Sequence, residues 1–346
     1  MKKIYIVHAI FAAFLFGLST PFSKLILNNN NSPLLLASLF YLGAAVFLLP
    51  FKIRNLKNEI GQLINNKSDL MRIVGAIIFG GITGPVALLY GIKYSSPESA
   101  SLLLNMETVA TSLFAWFIFK EHLSTKVILS SILTVIAGSL LVINFNLNIN
   151  YGGILVILAC IFWGIDNNLT ANVTSISPTV NTILKGFFAG TFNFLLFLIF
   201  EHSSILWDDF FYALIIGAFC YGLSIILYIS SARNIGASRS QIIFSINPFM
   251  GSLVSYIIFQ TSLGMEFMIA FLLMIIAISL LMYERHHHEH THHEIDHLHE
   301  HCHDDNHHNH HHTEFLPGQN HSHQHTHNEI THSHIHYPDI HHKHEH

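Results

Sequence analysis

The chain has 346 residues, of which 51% are hydrophobic and only 11% charged, and its formal net charge at pH 7 is −5. Soluble domains carry roughly 25% charged residues, so an ordinary water-soluble enzyme or binding module is excluded and the chain is expected to live in lipid. The negative balance arises in the tail, where ten acidic residues from Glu289 to Glu345 face Lys343 alone, so it gives no reason to expect a nucleic-acid partner.

Lys2 and Lys3 open the chain. About twenty apolar residues follow, longer than a signal-peptide core, and are expected to form the first spanning helix. A hydrocarbon core about 30 Å thick takes roughly 20 helical residues. Ten segments meet that length: 4–27, 33–52, 71–92, 97–119, 125–143, 152–173, 179–200, 209–230, 240–260 and 264–283. Ser32-Pro33 opens the second and Ser177-Pro178 the seventh, each a capping serine before a proline whose fixed φ suits a first helical turn. With the N-terminus in the cytoplasm, Lys52, Arg54, Lys57, Lys67, Arg72, Lys120, Lys126, Arg233, Arg239 and Arg285 lie inside, and Lys93 is the clear outside exception. The other outside connections are Asn-rich (28–31 and 144–150) or acidic (Glu201, Asp208, Asp209), the asymmetry that the positive-inside rule expects. The expected location is a cell (inner) membrane, with the lipid bilayer as partner and both termini cytoplasmic. Cys160, Cys220 and Cys302 form no CxxC spacing, and no disulfide framework follows.

Sliding the chain on itself by about 145 residues sets AAFLFGLSTPFSK (12–24) over ACIFWGIDNNLTA (159–171) and superposes Gly17 on Gly164. LLYGIKYSSPESASLLL (88–104) likewise answers YISSARNIGASRSQIIF (228–244) at an offset of 140. Five spans per repeat is an odd number, so the second repeat must enter the membrane from the opposite side. The expected fold is therefore all-α integral membrane: ten transmembrane helices as two inverted five-helix repeats, 4–144 and 151–284, then a disordered His-rich tail, 285–346. Inverted repeats are characteristic of secondary transporters, whose substrate site lies near the midplane between the halves.

Over residues 6–283 the chain resembles the EamA family of the drug/metabolite transporter superfamily. The marks are Phe16-Gly17 and Trp163-Gly164 in the first and sixth spans, the stretch SPESASLLLNMETV opening the fourth, and the KEHL step (120–123) before the fifth. The resemblance implies ten helices and alternating-access movement of small solutes, often export, driven by an ion gradient or exchange. No GxxxxGK[ST] pattern occurs, in keeping with transport without nucleotide hydrolysis. The chain departs from the family pattern at Thr108, where proline is usual after Glu107, at Asn247-Pro248, which replaces Glu-Pro, and at Thr261, which replaces the acid matching Glu121.

Ionisable side chains inside spans cost about 2.5 to 3.5 kcal/mol on insertion scales, so each is a functional candidate. Glu107 lies near the midplane of the fourth span by helix rise, and Asp166 follows Trp163-Gly164 in the sixth. Both are expected to face a central cavity and bind a cationic group or a coupling proton, with Asn167 and Asn105 as neutral hydrogen-bonding partners. The competing account is a structural polar network. Lys24 and Lys185 are further pathway candidates, but they sit nearer helix ends, where snorkelling is the simpler account. Pro248, beside Asn247, is expected to free the carbonyl of Phe244 for a ligand or a water. Tyr90, Tyr221 and Tyr228 are candidates to line the pathway, set against packing or lipid contact, and His8 is read as interfacial. Amide replacement of Glu107 or Asp166 is expected to reduce transport and leave membrane abundance near normal.

The tail from His286 holds 26 of the 29 histidines and too few apolar residues for a core. HSHQHTH supplies His321, His323, His325 and His327, and the final stretch supplies His332, His334, His336, His341, His342, His344 and His346. Neutral imidazole at such density suits Ni, Co, Zn or Cu, while transport itself is expected to need no cofactor. Two cargoes compete: a transition-metal ion or its chelate gathered by the tail, or an amino acid or other metabolite whose exporter carries a metal-buffering or metal-sensing tail. The spans hold no histidine beyond His8, which weighs against metal. No HExxH or nucleophile-base constellation occurs in the spans, so an enzyme is not expected, and a homodimer is the remaining partner expectation.

Overall fold

The computed structural model describes residues 2–119, 124–143, 149–201, 205–235 and 237–282, and in the tail 286–292, 295–301, 321–327 and 330–336. The KEHL step at 120–123, Cys302, and His341, His342, His344 and His346 lie outside the described residues.

Backbone groups cannot stay unpaired in lipid, and the apolar part of the chain is helical. Helix α1 (Lys2–Gly17) bends at Leu18 into α2 (Ser19–Leu27). Helix α3 (Pro33–Asn65) starts where expected, with Ser32 Oγ accepting from the Leu35 N–H. It does not stop near residue 52. It runs through Pro50 and the Lys52–Lys57 region to Asn65, because that stretch keeps apolar residues at helical spacing, with Leu63 buried against Ile73, Val173, Ile176 and Val180.

The third segment is one long path in three parts: α4 (Lys67–Ala76), a π-helical turn (Ile77–Thr83) and α5 (Gly84–Tyr94). The fourth is broken at Leu104-Asn105 into α6 (Pro97–Leu103) and α7 (Met106–Phe119). Then come α8 (Thr125–Val142), α9 (Tyr151–Ala171) and α10 (Pro178–Phe200), the last capped by Ser177. The eighth segment repeats the pattern of the third: α11 (Trp207–Ile216), a second π turn (Gly217–Leu223) and α12 (Ser224–Ile235). The ninth, like the fourth, is broken, into α13 (Ala237–Phe244) and α14 (Asn247–Phe259), and α15 (Met265–Met282) ends the helical part.

Among the described residues eight helical paths are long and apolar enough to cross a membrane; α15 has a shorter apolar run, and the broken α6 and α7 are each too short alone. Their outward side chains are apolar, among them Phe117, Phe200 and Trp207, as a lipid-facing surface requires. Inside, α3 lies antiparallel to α10, with Gly186 and Gly190 against the backbone of Tyr41 and Leu42. Further close pairs are α5 with α9 and α1 with α12, α7 with α9 and α1 with α14, α8 with α15, and α6 with α14. Cys160 and Cys220 are buried free thiols.

The tail forms a separate unit. Strand β1 (His286–His292) pairs antiparallel with β4 (Ile330–His336), and β2 (Ile295–His301) with β3 (His321–His327). A two-stranded ladder alone is marginal in water, so these pairs add no second core.

Candidate functional site

Along α9, Trp163, Asp166, Asn167 and Thr170 recur at helical spacing and share one face, which is turned into the bundle. Asp166 is 7% exposed, and both of its carboxylate oxygens lie 2.7 Å from Lys185 Nζ on α10. The Thr170 hydroxyl donates to the same carboxylate at 3.0 Å. Lys185 therefore does not snorkel. It is 5% exposed, and its ammonium turns inward to a partner.

One residue further on, Asn167 Nδ2 donates to Glu107 Oε1 at 2.7 Å and to Thr111 Oγ1 at 3.3 Å, bridging α9 to the first turn of α7. Asn168 Nδ2 extends the bridge to the Thr111 carbonyl at 3.0 Å. Two of the expected groups, Glu107 and Asp166, thus share one place, with Asn167 and Lys185 as their partners.

The first π turn borders this place. Its widened turn leaves the Gly80 carbonyl open to side chains, and that oxygen accepts from Tyr41 OH at 2.5 Å and Trp163 Nε1 at 3.1 Å. Glycine is required at 80: a Cβ there would lie 2.0 Å from Asp166 Oδ2. Beside the charged groups stands an aromatic cluster in which Phe16 touches Trp163, Tyr221 and Phe244, and Tyr221 touches Phe40 and Tyr41.

Of the other expected residues, Tyr228 stands at the edge of the aromatic cluster, against Phe244, and the rest lie elsewhere. Lys24 Nζ donates to the carbonyls of Ile92, Lys93 and Ser95 at 2.8, 3.2 and 2.9 Å, closing the C-terminal end of α5. Tyr90 OH donates to Glu201. Tyr228 OH donates to Gln241 Oε1 at 2.5 Å, and its ring lies 4.8 Å from that of Phe244. Asn105 and Asn247 stand at the two helix breaks and play matching parts: Asn105 Nδ2 donates to the Leu102 carbonyl at 3.1 Å and Asn247 Nδ2 to the Phe244 carbonyl at 2.8 Å. The Phe244 oxygen, expected to be free for a ligand or a water, accepts one bond from the Asn247 side chain. The Oδ1 atoms of both asparagines are buried without a protein partner. Thr261, where the family has an acid, donates to Glu98 Oε1 at 2.6 Å.

Sequence reasoning missed Tyr41, Gly80 and Thr111, and the pairing of Lys185. Only the last had a signal: Lys185 lies eight residues beyond Ser177, about 12 Å into the helix, too deep to be an end residue. Among the described residues, no group of three His, Cys, Asp or Glu could hold a metal ion.

A solved structure described only as a crystal structure of a protein superposes with a TM-score of 0.58 over 81% of this chain and 95% of its own, at 14% identity, and so shares the fold. An uncharacterized transporter of Methanothermobacter thermautotrophicus is 24% identical over 281 residues, covering 75% of this chain and 81% of its own length. An uncharacterized transporter of Clostridium kluyveri is 22% identical over 291 residues, covering 80% of this chain and 92% of its own. The profile of the EamA-like transporter family matches twice, over residues 3–144 and 150–283, and the chain belongs to that family.

Proposed function

We propose that this multi-pass membrane transporter moves a small organic solute bearing an amine or other cationic group by alternating access, with Glu107 and Asp166 as the groups that take the cation or a coupling proton. The observation that carries this reading is the buried juxtaposition of Asp166–Lys185 with Glu107–Asn167. Lys185 serves as a resident counter-ion that an incoming cation displaces, and the aromatic faces of Phe16, Trp163 and Tyr221 suit a cation or ring.

The architecture we propose is ten spans in two inverted repeats, the broken α6–α7 path and α15 supplying the two beyond the eight. Its support is correspondence across the chain. The π turns start 140 residues apart, at Ile77 and Gly217, and both breaks carry a capping asparagine. The close pairs also come in exchanged sets, α5 with α9 against α1 with α12, and α7 with α9 against α1 with α14. We further propose an inner-membrane location with cytoplasmic termini and a tail that holds Ni, Co, Zn or Cu through its alternating imidazoles. An organic cargo is favoured over a metal ion because the side chains bonded to Asp166 and Glu107 carry amide, hydroxyl and ammonium groups, not the imidazole or thiolate ligands that suit Ni, Co, Zn or Cu.

The test compares small-molecule and metal contents, inside and outside, of cells lacking the chain, carrying it, or carrying E107Q. A solute retained inside by the first and third and released by the second is the expected result. Unchanged contents of every solute would refute transport, and a change confined to Ni, Co, Zn or Cu would move the cargo to metal.

A further inference from the structure

Two carboxylates outside the central site occupy equivalent positions. Asp69 is the third residue of α4 and Asp209 the third residue of α11; they stand 140 residues apart, and each helix runs directly into its π turn. Both are nearly buried, at 1% and 6% exposure. Asp69 Oδ2 accepts from the backbone N–H groups of Thr174 and Ser175 at 3.1 and 2.9 Å, in the turn between α9 and α10. Its Oδ1 accepts from Arg72 Nη1 at 2.8 Å, and that nitrogen also donates to the Asn172 carbonyl at 2.8 Å. Asp209 answers in the turn between α2 and α3: Asn29 Nδ2 reaches both of its oxygens at 3.1 and 3.0 Å, and Asn31 Nδ2 reaches Oδ2 at 2.7 Å.

Each carboxylate therefore ties the third span of one repeat to the turn between the first and second spans of the other. The two ties lie at opposite ends of α10. Thr174 and Ser175 precede its start and Asp209 follows its end, and its 23 residues set them about 34 Å apart by helix rise, a membrane thickness.

We infer that Asp69 and Asp209 are paired latches of the transport cycle, each closing one membrane face, and that access alternates by releasing one while the other holds. The inference rests on the alternating-access reading above and adds positioning residues to it. Each latch begins the helix whose π turn abuts the centre, one at Gly80 beside Asp166 and the other at Tyr221 in the aromatic cluster, so solute bound there pulls on both. The structure has both latches engaged, the occluded state between the two open ones.

The test uses the full chain in sealed vesicles of both orientations, with Cys160, Cys220 and Cys302 replaced by alanine and one reporter cysteine near each latch. N181C sits buried on α10 beyond the Asp69 latch, and S23C sits buried on α2 ahead of the Asp209 latch. The probe is a membrane-impermeant maleimide. Asp69→Asn should raise labelling at N181C and lower it at S23C, and Asp209→Asn should do the reverse, each on the order of tenfold for charge-assisted bonds lost on one side. The double variant should restore the parental ratio. R72Q, which removes the α4 guanidinium that joins Asp69 to the Asn172 carbonyl, and N31A, which weakens the other latch from the turn that Asp209 grips, should shift labelling the same way and serve if an aspartate variant is lost from the membrane. Labelling that rises at both reporters together, or moves at neither, overturns the latches. Because labelling needs no solute, opposed shifts without any solute transport would uphold the latches and fail the transport reading. Transport without opposed shifts would do the converse.

Discussion

Asp166 and Lys185 form a buried pair whose energetics can be measured as a cycle. Opposite charges about 3 Å apart attract by on the order of 5 kcal/mol at an effective dielectric near 20, and desolvating each ion costs several kcal/mol, so the pair as a whole adds little net stability. Breaking it is different, because the survivor stays buried and unpaired. D166N strands the Lys185 ammonium, and K185M strands a carboxylate whose remaining partner is the Thr170 hydroxyl, so each should cost about 3 to 5 kcal/mol. The double variant D166N/K185M strands no charge and should cost only about 1 to 2 kcal/mol, a coupling energy of at least about 4 kcal/mol. The assay is equilibrium unfolding of the purified full chain in mixed micelles, with all four proteins followed by loss of helical signal. The partner Lys185 alters the sequence expectation for Asp166: its amide variant should be less abundant as well as inactive, while the double variant should be abundant and inactive. Additive single effects, with coupling below about 0.5 kcal/mol, would refute the pairing and everything argued from it.

E107Q should abolish solute movement while leaving abundance near the parental level, because Asn167 Nδ2 can still donate to the glutamine oxygen; immunoblots beside the transport assay check both. G80A should destabilise the chain by about 1 to 3 kcal/mol and stop transport, since its methyl would intrude on Asp166, whereas G61A, which meets nothing within 4 Å, should be neutral or stabilising in the same unfolding assay. Removing residues 286–346 should leave unfolding of the helical part unchanged and remove binding of several Ni, Co, Zn or Cu ions per chain by calorimetry. That binding should weaken as pH falls through about 6.5, because each imidazole must be deprotonated to ligate.

The membrane class and the ordered helical segments were legible because lipid imposes one rule, a long apolar run, that composition displays directly. Glu107, Asp166 and Asn167 were legible for the same reason: a polar group in such a run stands out. The continuation of α3 to Asn65 went unread because the first charges after Phe51 mark where a helix leaves lipid, not where it stops being a helix. Lys185 was misassigned because a lysine's reach lets it be imagined at either end of its stem, and only its neighbour decides. The break at Leu104-Asn105 has no proline to announce it, unlike its counterpart at Asn247-Pro248. The π turns and the Gly80 carbonyl had no local signature at all, since an i→i+5 bond is made by packing and not by a residue type.

The first π turn also settles a matter of phase. Gly75, Gly80, Gly84 and Gly91 all approach α9, meeting Leu169, Asp166, Trp163 and Val156 in turn as the two helices run past each other. In an uninterrupted α-helix, the step of five from Gly75 to Gly80 would rotate the second glycine about 140° away from that face. The surplus residue of the π turn takes up the rotation, so the row of missing side chains stays aligned from one end of α9 to the other. Deleting one residue between Gly75 and Gly80 would therefore straighten the bulge and keep the row in phase at a step of four, whereas winding the same residues as a plain α-helix would turn Gly80, Gly84 and Gly91 off α9 and drive ordinary side chains into the seam that carries Asp166.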